Sequence, residues 1–316
     1  MLKVLFMGTP KFALPSLKAL YGSDFIEILS VVTKPDEPRG RGMKLMPPPV
    51  KVIAEELGLK VYQPKRASSP KFISKLREMA PDVIVVVAYG QILKPEVLRI
   101  PPRGCVNLHP SLLPKYRGPA PIQWAIINGE RETGVTVMFL DEGEDTGDII
   151  AQRRVEINDD DTAETLHDRL SQIGAQLLVE VLRDMDRGEV SRRAQDHTQA
   201  TYAPKLKKED GHIDWTANSA RICNLIRGTK PWPGAYSHLQ DGRMIKIHEA
   251  ISSPPDEGPE IDLEPGQIYV SPRNDLFVRT GDGWVKLLSV QPEGKKRMSG
   301  PDFVNGYRVK TGDRLR

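Results

Sequence analysis

The 316-residue sequence contains no run of about 18 apolar residues, the length that a helix needs to cross a bilayer. Its first residues, MLKVLFMGTP, lack the charged region, apolar core and cleavage site of a secretory signal. It has two cysteines, Cys105 and Cys223, which fit no zinc-binding spacing. These absences predict a cytoplasmic protein with reduced thiols.

Several catalytic signatures are also absent. The sequence has no Gly-x-Ser-x-Gly nucleophile elbow and no Walker A motif. The first apolar run leads into Gly8-Thr-Pro instead of Gly-x-Gly-x-x-Gly, which disfavours a dinucleotide site. Asp-Thr-Gly occurs once, at Asp145, whereas an aspartic protease needs two such carboxylates. The sequence therefore predicts a site that works without nicotinamide, nucleoside triphosphate or metal.

The composition is that of a globular protein, with 39% hydrophobic and 28% charged residues. In the N-terminal half, apolar runs alternate with stretches of helical spacing. The predicted strands are Lys3–Met7, Ile28–Thr33, Lys60–Gln63, Val83–Ala88 and Cys105–Leu108, and the predicted helices between them are Ala13–Gly22, Val50–Gly58 and Pro70–Met79. This alternation predicts an α/β domain with a doubly wound, mostly parallel, Rossmann-like sheet, and ligand sites beyond the carboxyl ends of its strands.

The pattern changes near residue 200, where short β-like runs separated by Asp-Gly and Gly-rich turns follow a helix over Ala217–Arg227. We therefore predict a catalytic domain over 1–188, a linker over 189–207 and a small antiparallel β-barrel over 208–316. The whole formal net charge of +3 lies in residues 205–316, because residues 1–204 contain equal numbers of cations and acids. A modest positive excess suits contact with a polyanion backbone, although such an excess often only solubilises a domain.

Three polar residues lie where predicted strands of the first domain should end. Asn107 and His109 alternate with apolar residues, so their side chains lie on the same side of an extended chain. Asp145 lies in a turn directly after a further predicted strand, Gly134–Leu140. An amide can donate to an oxyanion, an imidazole can exchange protons near neutral pH, and a carboxylate can orient it. Taken singly, an Asn-x-His motif is far more often structural than catalytic, and Asp-Thr-Gly is equally compatible with an ordinary turn.

Longer motifs around these residues are more specific. Cys105-Val-Asn-Leu-His-Pro-Ser-Leu-Leu-Pro-Lys-Tyr-Arg-Gly-Pro-Ala-Pro121 closely resembles the signature of folate-dependent formyltransferases. Asp141-Glu-Gly-Glu-Asp-Thr-Gly-Asp148 resembles the second motif of that family at the expected distance. The resemblance implies 10-formyltetrahydrofolate as the formyl donor and Asn107, His109 and Asp145 as catalytic residues.

The resemblance also implies a cleft for the pterin of the donor. One wall is expected along Val87–Leu93, closed by Ser111–Pro114 and the loop that contains Asp141. The implied folate-binding residues are Tyr89, Gly90, Gln91, Ile92, Leu93, Ser111, Leu112, Leu113, Pro114 and Asp141. For Tyr89, ordinary core packing is an equally good interpretation.

Two features resemble the branch of the family that acts on initiator methionyl-tRNA. Residues Thr33–Lys51 resemble its basic inserted loop, and the Gly and Pro content predicts an irregular excursion that orders on binding. The C-terminal segment resembles its oligonucleotide-binding-type barrel. The implied tRNA contacts are Arg39, Arg41 and Lys44 in the loop, with Arg41 foremost, and Lys295, Lys296 and Arg297 in the barrel. The family also implies a monomer.

Three alternatives remain at this stage. One is a formyltransferase for an amino sugar or a purine precursor, against which the basic loop and the barrel argue. Another is an RNA-binding protein that keeps the fold without catalysis, against which the three intact polar residues argue. A hydrolase that releases formate is the third, and it has no need of an RNA-binding module.

Overall fold

The structure is a computed structural model, and it describes residues 1–39, 42–259 and 261–316. The chain forms two compact units. The first unit comprises Met1–Pro121, Glu132–Glu156 and His167–Ala203, and the second comprises Ile122–Arg131, Ile157–Leu166 and Pro204–Arg316. The predicted domain bounds, 1–188, 189–207 and 208–316, stay predictions. In the structure, residues up to Ala203 are grouped with the first unit.

Nine strands and six α-helices are found up to Arg187 in the described part of the chain. The strands are β1 (Leu2–Gly8), β2 (Ile26–Val32), β3 (Glu37–Arg39), β4 (Lys44–Met46), β5 (Val61–Tyr62), β6 (Val83–Val87), β7 (Cys105–His109), β8 (Glu132–Phe139) and β9 (Ile149–Glu156). The helices are α1 (Leu14–Tyr21), α2 (Pro49–Glu56), α3 (Pro70–Met79), α4 (Pro95–Leu98), α5 (Pro121–Ile127) and α6 (Ala163–Arg187).

The first unit is built on a seven-stranded sheet with the order β5-β2-β1-β6-β7-β8-β9. The strands from β5 to β7 are parallel, whereas β8 is antiparallel to both β7 and β9. Every residue of the central strand β6 is buried, as its uniformly apolar sequence predicts for a strand that is covered on both faces. The predicted mostly parallel α/β sheet is confirmed.

The predicted irregular excursion after β2 is partly regular. Strands β3 and β4 form a short antiparallel hairpin, with Glu37 opposite Met46 and Arg39 opposite Lys44. Leu45 in the hairpin is 67% accessible. The hairpin therefore lacks the alternation of buried apolar and exposed polar residues from which a strand is predicted in a sequence. Arg41 and the side chain of Arg39 lie outside the described residues.

The second unit contains a six-stranded antiparallel sheet with the path β10-β11-β14-β13-β12, to which β15 adds beside β14. Its strands are β10 (Ala235–His238), β11 (Met244–Ser252), β12 (Ile268–Val270), β13 (Leu276–Arg279), β14 (Trp284–Pro292) and β15 (Met298–Ser299), and its later helices are α7 (Ser219–Gly228) and α8 (Gly300–Tyr307). The antiparallel β-architecture predicted for this part of the chain is confirmed, and its closure into a barrel stays a prediction. Helix α8 was not predicted.

The last residues of the chain bridge the two outer strands of this sheet. Ile268 N donates to Asp313 O at 2.7 Å, and Leu315 N donates to Gly266 O at 2.9 Å. On the other side, the main-chain groups of His238 and Arg316 exchange two hydrogen bonds of 2.9 Å. Leu315 is 2% exposed and packs in the core of this unit. The C-terminal tail therefore lies between β12 and β10 and links the two edges of the sheet.

Candidate active site

Strand β7 places Asn107 and His109 beside each other at its carboxyl end. Val106 and Leu108, which alternate with them, are buried. Across the antiparallel pair with β8, Asn107 lies opposite Met138 and His109 opposite Thr136. Asn107 is half-buried. A half-buried amide at a strand end is positioned to donate a hydrogen bond to a bound group.

His109 is almost fully enclosed, with 4% of its surface exposed. Its Nε2 lies 2.9 Å from Tyr116 O, and its Nδ1 lies 3.5 Å from Asp145 Oδ2. Because a carbonyl oxygen can only accept, Nε2 carries a proton in this arrangement. A second proton, on Nδ1, would make the contact with Asp145 an ion pair. Both ring nitrogens are therefore engaged by the protein itself.

Asp145 lies in the loop between β8 and β9. Its backbone is left-handed, with φ of 55°, which is uncommon for a residue that is not glycine. Its Oδ2 also accepts a hydrogen bond of 2.9 Å from Gly118 N. The structure thus brings Asn107, His109 and Asp145, the three residues predicted to be catalytic, to one place within the first unit.

Asp141 stabilises the same turn from within. Its Oδ1 accepts hydrogen bonds from Gly143 N at 3.0 Å and from Thr146 Oγ1 at 2.6 Å. The turn then passes against β8 so closely that a Cβ on Gly147 would lie 1.9 Å from Phe139 O. The Asp141 carboxylate, predicted to bind folate, therefore already serves as a turn-forming acceptor through one oxygen.

A buried polar network that the sequence analysis missed supports the turn. Gln195 is 6% exposed, and its Nε2 donates to Asp145 O at 2.9 Å and to Gly147 O at 2.8 Å. Its Oε1 accepts from Arg117, which is 2% exposed, at 2.7 Å from Nη2 and 3.2 Å from Nε. The same Nη2 donates to His197 Nδ1 at 2.9 Å. Nothing local in the sequence signals this network, because its members lie about 80 residues apart.

The segment after β7 is anchored on both sides. Tyr116 N donates to Thr201 Oγ1 at 2.8 Å, and Arg117 N donates to Thr201 O at 2.9 Å. Ala203 N donates to Arg117 O at 2.7 Å. Residues 201–203, which the sequence assigns to a linker, thus hold the segment whose carbonyl group at Tyr116 contacts His109.

The residues predicted to line a folate cleft on the Val87–Leu93 segment differ in their exposure. Tyr89 and Leu93 are 1% and 6% exposed and pack in the core, so their side chains face inwards. Burial raises the pKa of Tyr89 to about 12, which keeps its phenol protonated. Ile92, in contrast, is 82% exposed, and Gly90 adopts φ of 79°. Gln91 is half-buried, and its side chain is bonded to Ala67 N and Lys65 O. Gly90 and Ile92 are therefore the exposed members among these predicted residues.

The Ser111–Pro114 segment is fastened by the fully buried Thr136. Thr136 Oγ1 donates to Ser111 O at 2.6 Å and accepts from Leu113 N at 3.2 Å. Ser111 is 1% exposed and Leu113 is 3% exposed, while Leu112 and Pro114 are partly exposed. Much of their backbone is bonded within the unit, since Leu113 O accepts from Gln152 Nε2 at 2.9 Å and Pro114 O accepts from Thr201 N at 3.3 Å.

The residues predicted to bind tRNA are only partly described. Lys44 lies on β4 and is exposed, as are Lys295 and Lys296 in the second unit. Arg297 is engaged within its own unit, because its Nη2 lies 2.6 Å from Glu249 Oε1 and its Nε donates to Ser289 Oγ at 2.5 Å. Of the predicted basic cluster, Lys295 and Lys296 are thus the more available cations.

Neither a membrane span nor a metal centre is found in the described ranges. No helix there is both long and apolar enough to cross a bilayer. Within residues 1–39, 42–259 and 261–316, no three His, Cys, Asp or Glu side chains are grouped so as to hold a metal ion.

Comparisons with known proteins cover nearly the whole chain. Family models described as formyl transferase and as formyl transferase, C-terminal domain, match residues 2–182 and 205–308. The chain is 48% identical over 316 residues to the methionyl-tRNA formyltransferase of Geobacter metallireducens, covering 99% of this chain and 98% of that protein. It is 49% identical over 309 residues to the methionyl-tRNA formyltransferase of Thermodesulfovibrio yellowstonii, covering 98% and 97%.

Solved structures agree on the fold. An N-formyltransferase from Helicobacter canadensis, crystallised with folinic acid and dTDP-3-aminofucose, superposes with a TM-score of 0.67 and 21% identity. The match covers 92% of this chain and all of that one. At this identity the likeness bears on the fold alone.

Proposed function

This chain belongs to the formyl transferase family, and we propose that it transfers the formyl group of 10-formyltetrahydrofolate to the α-amino group of methionine on initiator methionyl-tRNA, for the start of translation. The observation that carries this proposal is the 46–49% identity to methionyl-tRNA formyltransferases over almost the full length of both chains. A relative that lacked the second unit would not align over this length.

The chemistry requires an amine to attack the formyl carbon of the donor. A C–N bond forms to the methionine nitrogen, and the bond from the formyl carbon to N10 of the folate breaks. The amine gives up one proton and N10 takes one, so the products are formyl-methionyl-tRNA and tetrahydrofolate. Between these events the formyl oxygen carries negative charge, which hydrogen-bond donors stabilise.

We assign the stabilisation of this oxygen to Asn107 and His109. The half-buried Asn107 amide supplies one donor. The His109 Nε2–H supplies the second once it leaves Tyr116 O, which it contacts at 2.9 Å in the structure. Asp145 holds the other ring nitrogen and supports the imidazolium, so it acts by positioning and by charge. The proton passes to N10 through His109 or through a water held by Asp145.

We further assign the pterin to the surface beside Gly90, Ile92 and the partly exposed Leu112 and Pro114. Backbone donors and acceptors pair with the polar pterin edge, and the exposed Ile92 covers a ring face. Asp141 contributes by shaping the turn that carries Asp145.

On the tRNA side, we propose that the hairpin β3–β4 and its connection reach the acceptor end. Lys44 is exposed there, and Arg39 and Arg41 keep the roles that the family resemblance implies. Lys295 and Lys296 contact phosphates, with Arg297 oriented by its ion pair to Glu249. Replacement of Arg41 by Leu is expected to raise KM for initiator methionyl-tRNA and leave that for the donor unchanged.

The finer statements about the protein's context are proposals as well. We propose that it acts as a monomer in the cytoplasm, where initiator methionyl-tRNA is charged and used. Analytical ultracentrifugation of the free protein tests the monomer, and a dimer at micromolar concentration would refute it.

An acceptor comparison tests the function. Labelled 10-formyltetrahydrofolate is offered with initiator methionyl-tRNA, with uncharged tRNA and with an amino sugar nucleotide. We expect label on the methionine of the charged tRNA alone. Label on the sugar would favour the sugar-modifying branch of the family and overturn the assignment of the hairpin and of the second unit.

A further inference from the structure

A polar cluster lies at the base of the hairpin β3–β4, apart from the catalytic residues. Asp36 directly precedes β3, and Lys51 lies in the first turn of α2, 15 residues further along the chain. Lys51 Nζ donates to both carboxylate oxygens of Asp36, at 3.0 Å to Oδ1 and at 2.9 Å to Oδ2. This ion pair therefore joins the chain that enters the hairpin to the chain that has left it.

Gln63, which follows β5, fastens the ion pair to the main sheet. Its Nε2 donates to Asp36 Oδ1 at 2.6 Å and to Lys34 O at 2.8 Å. The side chains of Lys51 and Asp36 are 20% and 26% exposed, so solvent and salt screen this pair less than a pair on the open surface. The hydrogen bond from Gln63, and then that from Lys51, lowers the pKa of Asp36 from its ordinary value, which keeps the carboxylate ionised at neutral pH.

In the described part of the chain, neither pairing with the main sheet nor apolar burial fixes the direction of the hairpin. Strands β3 and β4 pair with each other, and a lone two-stranded hairpin is only marginally stable in water. The apolar side chains of Met43, Leu45 and Met46 are exposed. The run Pro47-Pro48-Pro49 stiffens the end of the segment after β4, whereas the Asp36 side chain anchors the end before β3.

We propose that Asp36 is a positioning residue for recognition of the acceptor tRNA. Through Lys51 and Gln63 it holds the two ends of the inserted segment together, so that the hairpin is presented to the tRNA in one orientation. Without these contacts the hairpin samples several orientations, and the apparent affinity for tRNA falls in proportion to the population of the competent one. This inference rests on the proposed function, because it takes the hairpin to contact tRNA.

The test is the KM for initiator methionyl-tRNA in Asp36→Ala, measured by formyl transfer at saturating donor. We expect this KM to rise about tenfold, the change that follows if the hairpin is in the competent orientation about a tenth of the time. The kcat at saturating tRNA and the KM for the donor should stay within about twofold of the native values, since bound tRNA restores the orientation. Asp36→Asn keeps an acceptor oxygen for Gln63 and Lys51 and should raise the KM for tRNA by less, about threefold.

The sign of the change separates positioning from simple charge attraction. The segment from Lys34 to Lys51 contains five cations and two acids. Removal of one acid makes it more positive, which by itself would strengthen binding to an RNA backbone and lower KM. Lys51→Met should raise the KM for tRNA as Asp36→Ala does, and the double variant should be no worse than either single variant, because both changes break the same contact.

An ion pair elsewhere in the first unit supplies a matched control. Arg153 Nη2 lies 2.7 Å from Glu180 Oε2, so the pair joins the same two kinds of charge over a similar distance. Arg153→Met and Glu180→Ala should each leave the KM for methionyl-tRNA within about twofold of the native value. A rise as large as that in Asp36→Ala would contradict the proposal.

Two other results would overturn it. If Asp36→Ala left the KM for methionyl-tRNA unchanged or lowered it while Lys51→Met raised it, Lys51 would contact the RNA backbone directly. If kcat fell at an unchanged KM, Asp36 would act on the chemical step instead.

Arg41→Leu, measured in the same assay, tests the role of the hairpin separately. A raised KM in Arg41→Leu with no effect of Asp36→Ala refutes the positioning role alone, whereas no effect of either change refutes the contact between the hairpin and tRNA. Formyl transfer to initiator methionyl-tRNA by the native protein tests the proposed function itself.

Discussion

Gln195 connects the buried Arg117 to the turn that holds Asp145, and its replacement gives the sharpest test of how the site is built. The variant Gln195→Met keeps the length of the side chain and removes all of its hydrogen bonds. The carbonyl groups of Asp145 and Gly147 lose their donor, and the Arg117 guanidinium loses its bonds to Oε1.

The expected loss of stability follows from these contacts. Each neutral hydrogen bond contributes about 1 kcal/mol, and bonds to a charged group contribute about 1.5–3 kcal/mol. Counting the two bonds from Arg117 to the single acceptor Oε1 as one charged interaction, we expect the free energy of unfolding to fall by about 3–5 kcal/mol in Gln195→Met. In Gln195→Glu the loss should be smaller, about 2 kcal/mol, because a carboxylate still accepts from Arg117.

The effect on turnover separates positioning from simple stability. Both variants remove the donor to the Asp145 turn, because the carboxyl group introduced by Gln195→Glu is kept ionised by Arg117 and has no proton to donate. A shift of about 1 Å in a positioned group lowers a rate by about 100-fold. We expect kcat per folded molecule to fall by about that factor in both variants, while KM for the donor changes little.

The assay is formyl transfer at a temperature at which circular dichroism shows each variant to be folded. The variant Gln199→Met serves as a control, since Gln199 is exposed and its side chain bonds only to Asp196 among the described residues. If kcat per folded molecule were unchanged in Gln195→Met, the reasoning that the network positions Asp145 would be refuted.

Single residues give three other predictions. Asn107→Ala should raise the barrier by about 2.7–4 kcal/mol, seen as a fall of about 100- to 1,000-fold in single-turnover rate with donor binding retained; an unchanged rate would remove Asn107 from the oxyanion site. Leu315→Ala should lower the free energy of unfolding, measured by urea titration, by about 2–5 kcal/mol, because Leu315 is 2% exposed. A change below about 0.5 kcal/mol would mean that the tail does not pack on the core. Burial raises the pKa of Cys105 to about 12 and that of Cys223 to about 11, so both thiols stay protonated below about pH 10. Iodoacetamide at pH 8 should therefore modify neither thiol until the protein unfolds. Rapid labelling of the folded protein would contradict this.

Much of the first unit could be predicted because its signals are local. The uniformly apolar Val83–Val87 is a buried strand, and α3 occupies the predicted range Pro70–Met79. The alternation that places Asn107 and His109 on one side of a strand needs only the period of the β-conformation. The predicted strand at Val83–Ala88 ends one residue early, because Ala88 turns into the left-handed region with φ of 48°.

The parts that could not be predicted depend on distant partners. Arg117 is a charged residue, a type that is seldom buried, and only its bonds to Gln195 and His197 make its burial tolerable. The tail at Leu315 forms strand-like pairs on both sides without a strand-like sequence pattern. Tyr89 was predicted both as a folate contact and as core packing, and the structure places its side chain in the core.

The most direct test of the central claim is single-turnover transfer of labelled formyl from 10-formyltetrahydrofolate to initiator methionyl-tRNA by the native protein and by His109→Ala. Donor binding is followed in parallel by fluorescence. We expect the native protein to place the label on methionine, and His109→Ala to bind the donor while transferring formyl slower by orders of magnitude. Label released as free formate by the native protein, or an equal rate in the variant, would contradict the account.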